Sequence, residues 1–300
     1  GHHAITYAVG LALHIAREIQ LALHGRGLSA HHHGVGRTHA TGAGRAAVVR
    51  YLAGVQQKMK EHGWLEYCVM RCPVDEPEGA AEFAEVRKWA EICDAVEKQS
   101  GLPLRMLCVT PPGPQDPAWG SLNGAVDTYV FTPGEFFEDY QKPRPAWKAR
   151  AAAGCDFWAY NGLVQFPDSF LTSVKGKPGI DRHPPVWLLD FAPMNYRILP
   201  WQCAVYGWKG VLYWRSVTAL PDTDPWMRTD VFREKDLVFN MDGQLIYAGQ
   251  DGPVASLRLK WLREGMEDYD LIQTAYRAGD RTVARKAAVL ASPSVTGWRA

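Results

Sequence analysis

From Trp64 onward, short apolar runs alternate with longer stretches whose apolar residues recur at helical spacing. Five runs have the length and composition of buried strands: Leu65 to Met70, Leu104 to Val109, Val126 to Phe131, Asp156 to Tyr160 and Gly210 to Trp214. Between them a helical period predicts helices over Ala80 to Lys98, where Phe83, Val86, Trp89, Ala90 and Cys93 share a face, and over Asn195 to Tyr206. A third, over Pro133 to Ala153, is expected to break at Pro143 and Pro145, and a last one covers Ser256 to Ala278. Pro- and Gly-rich loops fill Pro111 to Gly124, Gln165 to Pro185 and Pro221 to Lys235. Alternation of this kind predicts an α/β fold with a parallel sheet, of the TIM-type (βα)8 barrel class.

Before Trp64 the pattern weakens. Gly44 to Gly63 reads as an amphipathic helix (Val48, Val49, Leu52, Val55, Met59), but Gly1 to Ala43 is rich in His, Gly and Ala. It offers only a strand at Ile5 to Val9 and a helix at Leu11 to His24. The expected organisation is a poorly defined segment 1–45, a βα-barrel catalytic domain 46–278 and a C-terminal tail 279–300.

A chain of 300 residues with 47% hydrophobic and 22% charged positions can bury a substantial core. A net charge of +1, with Lys and Arg evenly spread, leaves no electrostatic footprint for nucleic acid or an anionic membrane surface. The longest candidate span, Ala8 to Ala22, is interrupted by His14, Arg17, Glu18 and Gln20, so neither a membrane span nor a signal peptide is expected. The six cysteines, Cys68, Cys72, Cys93, Cys108, Cys155 and Cys203, are scattered without a Cys-x-x-Cys pair and are expected as free thiols. His31, His32 and His33 lack spaced acidic or Cys partners, so they are expected in a loop and no metal or other cofactor is implied.

The candidate chemistry begins at Cys72-Pro73-Val74-Asp75-Glu76-Pro77-Glu78, an acidic turn between a strand and a helix. The carboxyl ends of strands are where a βα-barrel keeps its catalysts. The structural alternative is that Asp75 caps the following helix, with Pro77 in its first turn and Glu78 favouring the dipole. Twelve Trp and twelve Tyr are also compatible with stacking on sugar rings, although barrels bury many aromatics too.

Several blocks between Ala46 and Ala275 together resemble the catalytic domain of glycoside hydrolase family 123. They are Glu61-His62-Gly63-Trp64-Leu65, Asp75-Glu76-Pro77-Glu78, Phe157-Trp158-Ala159-Tyr160-Asn161, and Trp201 through Gly210-Val211-Leu212-Tyr213-Trp214. The most specific lie at the C-terminal end: Asn240-Met241-Asp242-Gly243-Gln244-Leu245-Ile246-Tyr247-Ala248-Gly249, Gly252 to Leu259, and Leu262 to Tyr269. Two positions depart from the family pattern: Met241 stands where a Gly is usual, and Ala255 where a Pro is common.

The resemblance implies a retaining β-N-acetylgalactosaminidase-like hydrolase acting on terminal β-linked N-acetylhexosamine of a glycan or glycoconjugate. In the chemistry it implies, the sugar's 2-acetamido oxygen attacks its own anomeric carbon, an exception to the two-carboxylate scheme. Asp75 is then the carboxylate that orients the acetamido N–H, and Glu76 the general acid and later base, its pKa raised by a partly apolar site and its negative neighbour. Trp158, Tyr160, Tyr213 and Trp214 are candidates for a sugar pocket, with core packing as their alternative. Strand alternation puts Trp158 and Tyr160 on one face and Tyr213 and Trp214 on opposite faces. Asn240 and Asp242 are candidates for sugar hydroxyls, although Asn-x-Asp-Gly is also ordinary turn chemistry. Arg258, Arg263, Glu264, Glu267 and Asp268 are expected in helix-face ion pairs.

If Asp75 and Glu76 close a fourth strand, the 63 residues up to Gly63 must supply three βα units at about 30 residues each. The barrel is therefore expected to be abbreviated at its N-terminal side, lacking its first strand or first two. Exposed strand edges would allow completion by a second copy, a homo-oligomer. The alternatives are a non-catalytic carbohydrate-binding or degenerate barrel domain, and a hydrolase for a sugar without the acetamido group. Family habit implies a bacterial protein that meets glycans outside the cytoplasm.

Overall fold

The computed structural model describes residues 42–113, 116–138, 142–162, 183–217, 224–230, 232–234 and 237–298. The strand expected at Ile5 to Val9, the helix at Leu11 to His24, the His31 to His33 run and most of the loop from Gln165 lie outside the described residues. The chain forms two compact units and passes between them at Val130–Phe131, Pro145–Ala146 and Asp156–Phe157.

In the first unit, α1 (Gly42–Glu61) buries Val49, Leu52, Ala53, Gln56 and Met59 as one stripe. Gln56 is a buried amide with all its needs met: its Nε2 donates to the carbonyls of Leu102 and Pro103, and its Oε1 accepts from Ser100 Oγ. A 3-10 turn at Leu65–Tyr67 leads to β1 (Val69–Arg71). The first strand is thus shorter than the apolar run from Leu65, because that run's start winds into the turn. α2 (Ala80–Ser100) buries Phe83, Val86, Trp89, Ile92, Cys93 and Val96 and stops at Gly101, whose φ of 69° is the left-handed conformation that glycine tolerates. β2 (Arg105–Val109) pairs in parallel with β1, Met70 opposite Met106, and with β3 (Thr128–Phe131), Cys108 opposite Tyr129. β3 is buried at every position, as a strand inside a parallel sheet must be.

The second unit opens on a short helix α3 (Pro133–Phe136) held by a capping box, in which Thr132 N–H donates to Glu135 Oε2 at 2.6 Å. A hairpin of β4 (Phe137–Glu138) and β5 (Lys142–Pro143) follows; α4 (Pro145–Ala152) belongs from Ala146 onward to the first unit, so the expected helix over Pro133 to Ala153 is two short helices separated by the hairpin. β6 (Asp156–Asn161) pairs in parallel with β7 (Gly210–Tyr213). α5 (Met194–Tyr206) and α6 (Leu257–Arg277) cross at Gly265, where an added Cβ would sit 2.4 Å from the Arg197 carbonyl oxygen. Beside this contact Asp268 accepts from Arg197 at 2.6 and 3.0 Å and from Trp201 Nε1 at 2.8 Å. α7 (Arg281–Ala291), in a stretch where the sequence suggested no element, packs Ala284 and Ala288 against Ala204 and Ile272. Two small antiparallel ribbons, β8–β9 (Arg233–Glu234, Leu237–Val238) and β10–β11 (Ile246–Gly249, Gly252–Ala255), complete the described strands.

The parallel sheet has the strand order β1-β2-β3-β6-β7. Its members are the five strands that the apolar runs predict, in keeping with the α/β class. A closed (βα)8 barrel needs eight strands, and the described residues carry a five-stranded parallel sheet. All six cysteines are free, five of them buried. No described helix is long and apolar enough to cross a membrane.

Candidate active site

The acidic turn is built by the end of β1. Cys72 N–H donates to the Leu107 carbonyl at 2.7 Å, extending the β1–β2 ladder by one residue, and Cys108 Sγ lies 3.9 Å from the Val74 carbonyl oxygen. The chain then turns sharply at Glu76, whose φ is 47°. A left-handed non-glycine residue is costly, the more so before a proline, which restricts the residue preceding it. Such outliers persist where surrounding structure imposes them, often at functional sites.

Both acids are exposed. Asp75 Oδ1 accepts from Arg71 Nη2 at 2.5 Å, an exposed pair that orients the carboxylate rather than stabilising the fold much. The expected apolar enclosure of Glu76 is not found, because its side chain is exposed. The helix-capping alternative fails on geometry. α2 begins at Ala80 with Gly79 at its N-cap, and the amide of Glu78 is satisfied by Glu82 Oε2 at 2.7 Å, so neither Asp75 nor Pro77 is part of the helix end.

In the second unit the alternation along β6 leaves Trp158 and Tyr160 half-buried on one face while Phe157, Ala159 and Asn161 are buried on the other. The Trp158 ring lies over Gly210, where a Cβ would come within 2.6 Å of it. At Gly162 a Cβ would lie 3.5 Å from the Tyr160 hydroxyl and 3.4 Å from the Trp214 ring. These absent side chains leave room for an aromatic surface of Trp158, Tyr160 and Trp214. The Trp214 ring also contacts Phe232 at 5.2 Å and carries the Arg215 guanidinium 5.0 Å from its centroid.

Tyr213 and Trp214 do not separate as alternation predicts. β7 ends at Tyr213, so the period of two no longer governs Trp214, and both side chains reach the same oxygen. Asp242 Oδ1 accepts from Tyr213 Oη at 2.8 Å and from Trp214 Nε1 at 3.0 Å. Tyr213 Oη also accepts the Gly243 N–H at 2.6 Å. Burial pushes the Asp242 carboxyl above its ordinary range, against the pull of the Trp214, Tyr213 and Gly243 donors and of Arg258. Burial likewise pushes the Tyr213 phenol up, and the Asp242 charge adds to it. Asp242 is suited to fixing the two rings, which differs from direct contact with sugar hydroxyls. Asn240 donates through Nδ2 to both carboxylate oxygens of Asp190, at 3.0 and 2.9 Å.

The sequence reading missed three members of this cluster. Arg258, expected in a helix-face ion pair, is buried: its Nη1 donates to the Met241 carbonyl and its Nη2 to Tyr247 Oη, both at 2.9 Å. Trp187 packs edge-on against Tyr213 and donates through Nε1 to the Asn195 carbonyl. Tyr196 stacks on Trp187 at 5.6 Å. The one sequence signal is the position of Arg258, two residues after the Ser256 N-cap and seven before Gly265, on the stripe that the helix buries. The other expected pairs form, with Arg263 on Glu264 and Glu267, whereas Asp268 bridges to α5. Among the described residues no cluster of three or more His, Cys, Asp or Glu side chains could hold a metal ion.

Comparison with known proteins adds a family. Residues 183–275, which contain Tyr213, Trp214, Asn240, Asp242 and Arg258, match the model of the glycoside hydrolase 123 catalytic domain. Twelve solved chains match, among them a family 123 glycoside hydrolase from Clostridium perfringens studied for glycolipid glycan hydrolysis. That likeness has a TM-score of 0.48 at 12% identity, covering 82% of this chain and 37% of the solved one. No curated protein matches the chain.

Proposed function

From the match of residues 183–275 to the glycoside hydrolase 123 catalytic domain, we propose that this chain hydrolyses terminal β-linked N-acetylhexosamine, with β-N-acetylgalactosamine as the favoured sugar. The match over 183–275 carries the reading, and the left-handed turn at Glu76 supports it. In the proposed reaction the acetamido oxygen attacks the anomeric carbon from within the substrate while the bond to the leaving oxygen breaks. Asp75, aligned by Arg71, accepts a hydrogen bond from the acetamido N–H and stabilises the positive charge that develops on the resulting oxazoline ring. Glu76 gives its proton to the departing oxygen, then takes one from the water that opens the ring, so configuration is retained. Trp158, Tyr160 and Trp214 supply apolar faces for sugar rings. Asp242, Tyr213 and Arg258 act through Trp214 and Tyr247 as positioning residues, and Asn240 with Asp190 offers polar contacts for hydroxyls. No cofactor takes part in this scheme.

A second reading, a carbohydrate-binding domain without turnover, is favoured by the exposure of Asp75 and Glu76, since an acid protonated near neutral pH is helped by burial. Release of nitrophenol from an aryl β-N-acetylgalactosaminide separates the two. Turnover absent from the aryl β-galactoside, blocked by a thiazoline and abolished by Glu76→Gln establishes the hydrolase. A folded chain that binds the sugar but releases nothing establishes the binding domain.

A further inference from the structure

A cavity of about 620 Å³ opens in the second unit where the end of α5, the end of α6 and the start of α7 meet. Arg277, Arg281 and Arg285 line it together with Tyr206, Tyr276 and Gln273, and no carboxylate is among the lining residues. Arg281 and Arg285 stand one turn apart on α7 and so project from the same face, and Arg277 reaches it from the last turn of α6. Like charges at this spacing repel each other by a few tenths of a kcal/mol on a helix, a small cost that an anion between them would reverse.

The other arginines that these helices share with the core or with each other have partners: Arg197 holds Asp268, Arg263 holds Glu264 and Glu267, and Arg258 donates to the Met241 carbonyl and to Tyr247 Oη. Among the described residues the three cavity arginines make no ion pair, and Arg277 donates only to the neutral Thr274 Oγ1, at 3.2 Å. The nearest acid in sequence, Asp280, precedes Arg281 at the N-cap of α7 and is not part of the lining. Three guanidinium side chains lining one space, none of them held by a carboxylate among the described residues, match the charge and the bidentate donor chemistry that a phosphate or sulfate group takes. The cavity is also within the size range of sites for whole organic molecules rather than bare ions, and two tyrosines with an amide provide a ring face and a polar contact.

We propose that this cavity binds a phosphate or sulfate ester of a sugar-sized molecule, through Arg277, Arg281 and Arg285. This site is independent of the glycosidase reading, and its test reads binding rather than turnover. Isothermal titration of the whole chain at low ionic strength would compare glucose 6-phosphate, glucose 6-sulfate, glucose and inorganic phosphate. At least one ester is expected to bind about tenfold or more tighter than glucose and than the inorganic ion, and Arg281→Gln/Arg285→Gln is expected to weaken it by about tenfold or more. The stronger of the two esters identifies the group. Both arginines are exposed, and Arg277→Gln gives an independent variant should the double one fail to fold. The proposal is overturned if neither ester binds, if glucose binds as well as the esters, if inorganic phosphate alone binds as tightly, or if the folded variants keep full affinity.

Discussion

Removing one oxygen atom, by Tyr213→Phe, tests whether Asp242 is held as a buried anion by its aromatic partners. The hydroxyl donates to Asp242 Oδ1 and accepts from Gly243 N–H, so its loss deprives a buried carboxylate of a donor and a buried amide of an acceptor. A hydrogen bond to a charged group contributes about 1.5–3 kcal/mol, and an orphaned buried polar group costs about 1–3 kcal/mol. With partial relaxation the variant should lose about 3 kcal/mol, on the order of 10 °C in unfolding midpoint. The loss should also depend on pH. Because burial raises the Asp242 pKa above its ordinary 3.8, the folded chain binds the proton more tightly than the unfolded chain. This group therefore subtracts stability as pH rises from 3.8 through its folded value. Tyr213 moderates that loss by stabilising the anion, so Tyr213→Phe moves the folded pKa further up. The penalty should be about 1 kcal/mol at about pH 3, where the acid is neutral, and reach its full size near neutral pH. Urea unfolding of both proteins, followed by tryptophan fluorescence across this range, measures the difference directly. A penalty that is the same at both ends of the range would refute the reading of Asp242 as an anion held by these donors.

Gly265→Ala should destabilise by about 1–2 kcal/mol, lowering the thermal midpoint: the helix-propensity gain of about 1 kcal/mol is outweighed by a methyl driven into the Arg197 backbone, whose atoms cannot swing aside. A variant as stable as the parent would show that α5 and α6 part without cost. At position 76, Glu76→Gly should be about 1 kcal/mol more stable than Glu76→Ala in chemical denaturation, because φ of 47° penalises any Cβ and both variants lose the same carboxylate. Equal stability would mean the turn relaxes freely.

The sheet was legible because each of its strands is a burst of apolar residues. β2, β3, β6 and β7 start and end within two residues of the runs that predict them. The fold class followed from the same alternation, and Trp158 and Tyr160 share a face as the period of two requires. α7 was not legible, since only Ala284 and Ala288 anchor it and its remaining face is exposed. The placement of Asp75 and Glu76 just beyond a strand's carboxyl end was legible, and the helix-cap alternative was separable from it only by knowing that α2 starts at Ala80, with Gly79 as its N-cap.

What the sequence determined by itself was therefore local: where the backbone extends, where it winds and which residues share a face, because dihedral preference and burial period act over a few neighbours. Only the tertiary structure decided partnership. That Tyr213 and Trp214 converge on one oxygen of Asp242, that Arg258 turns inward to Met241 and Tyr247, and that three arginines gather without a carboxylate depends on loops closing over tens of residues. Those closures are set by the packing of whole elements, such as α5 on α6 at Gly265, and no short-range period encodes them.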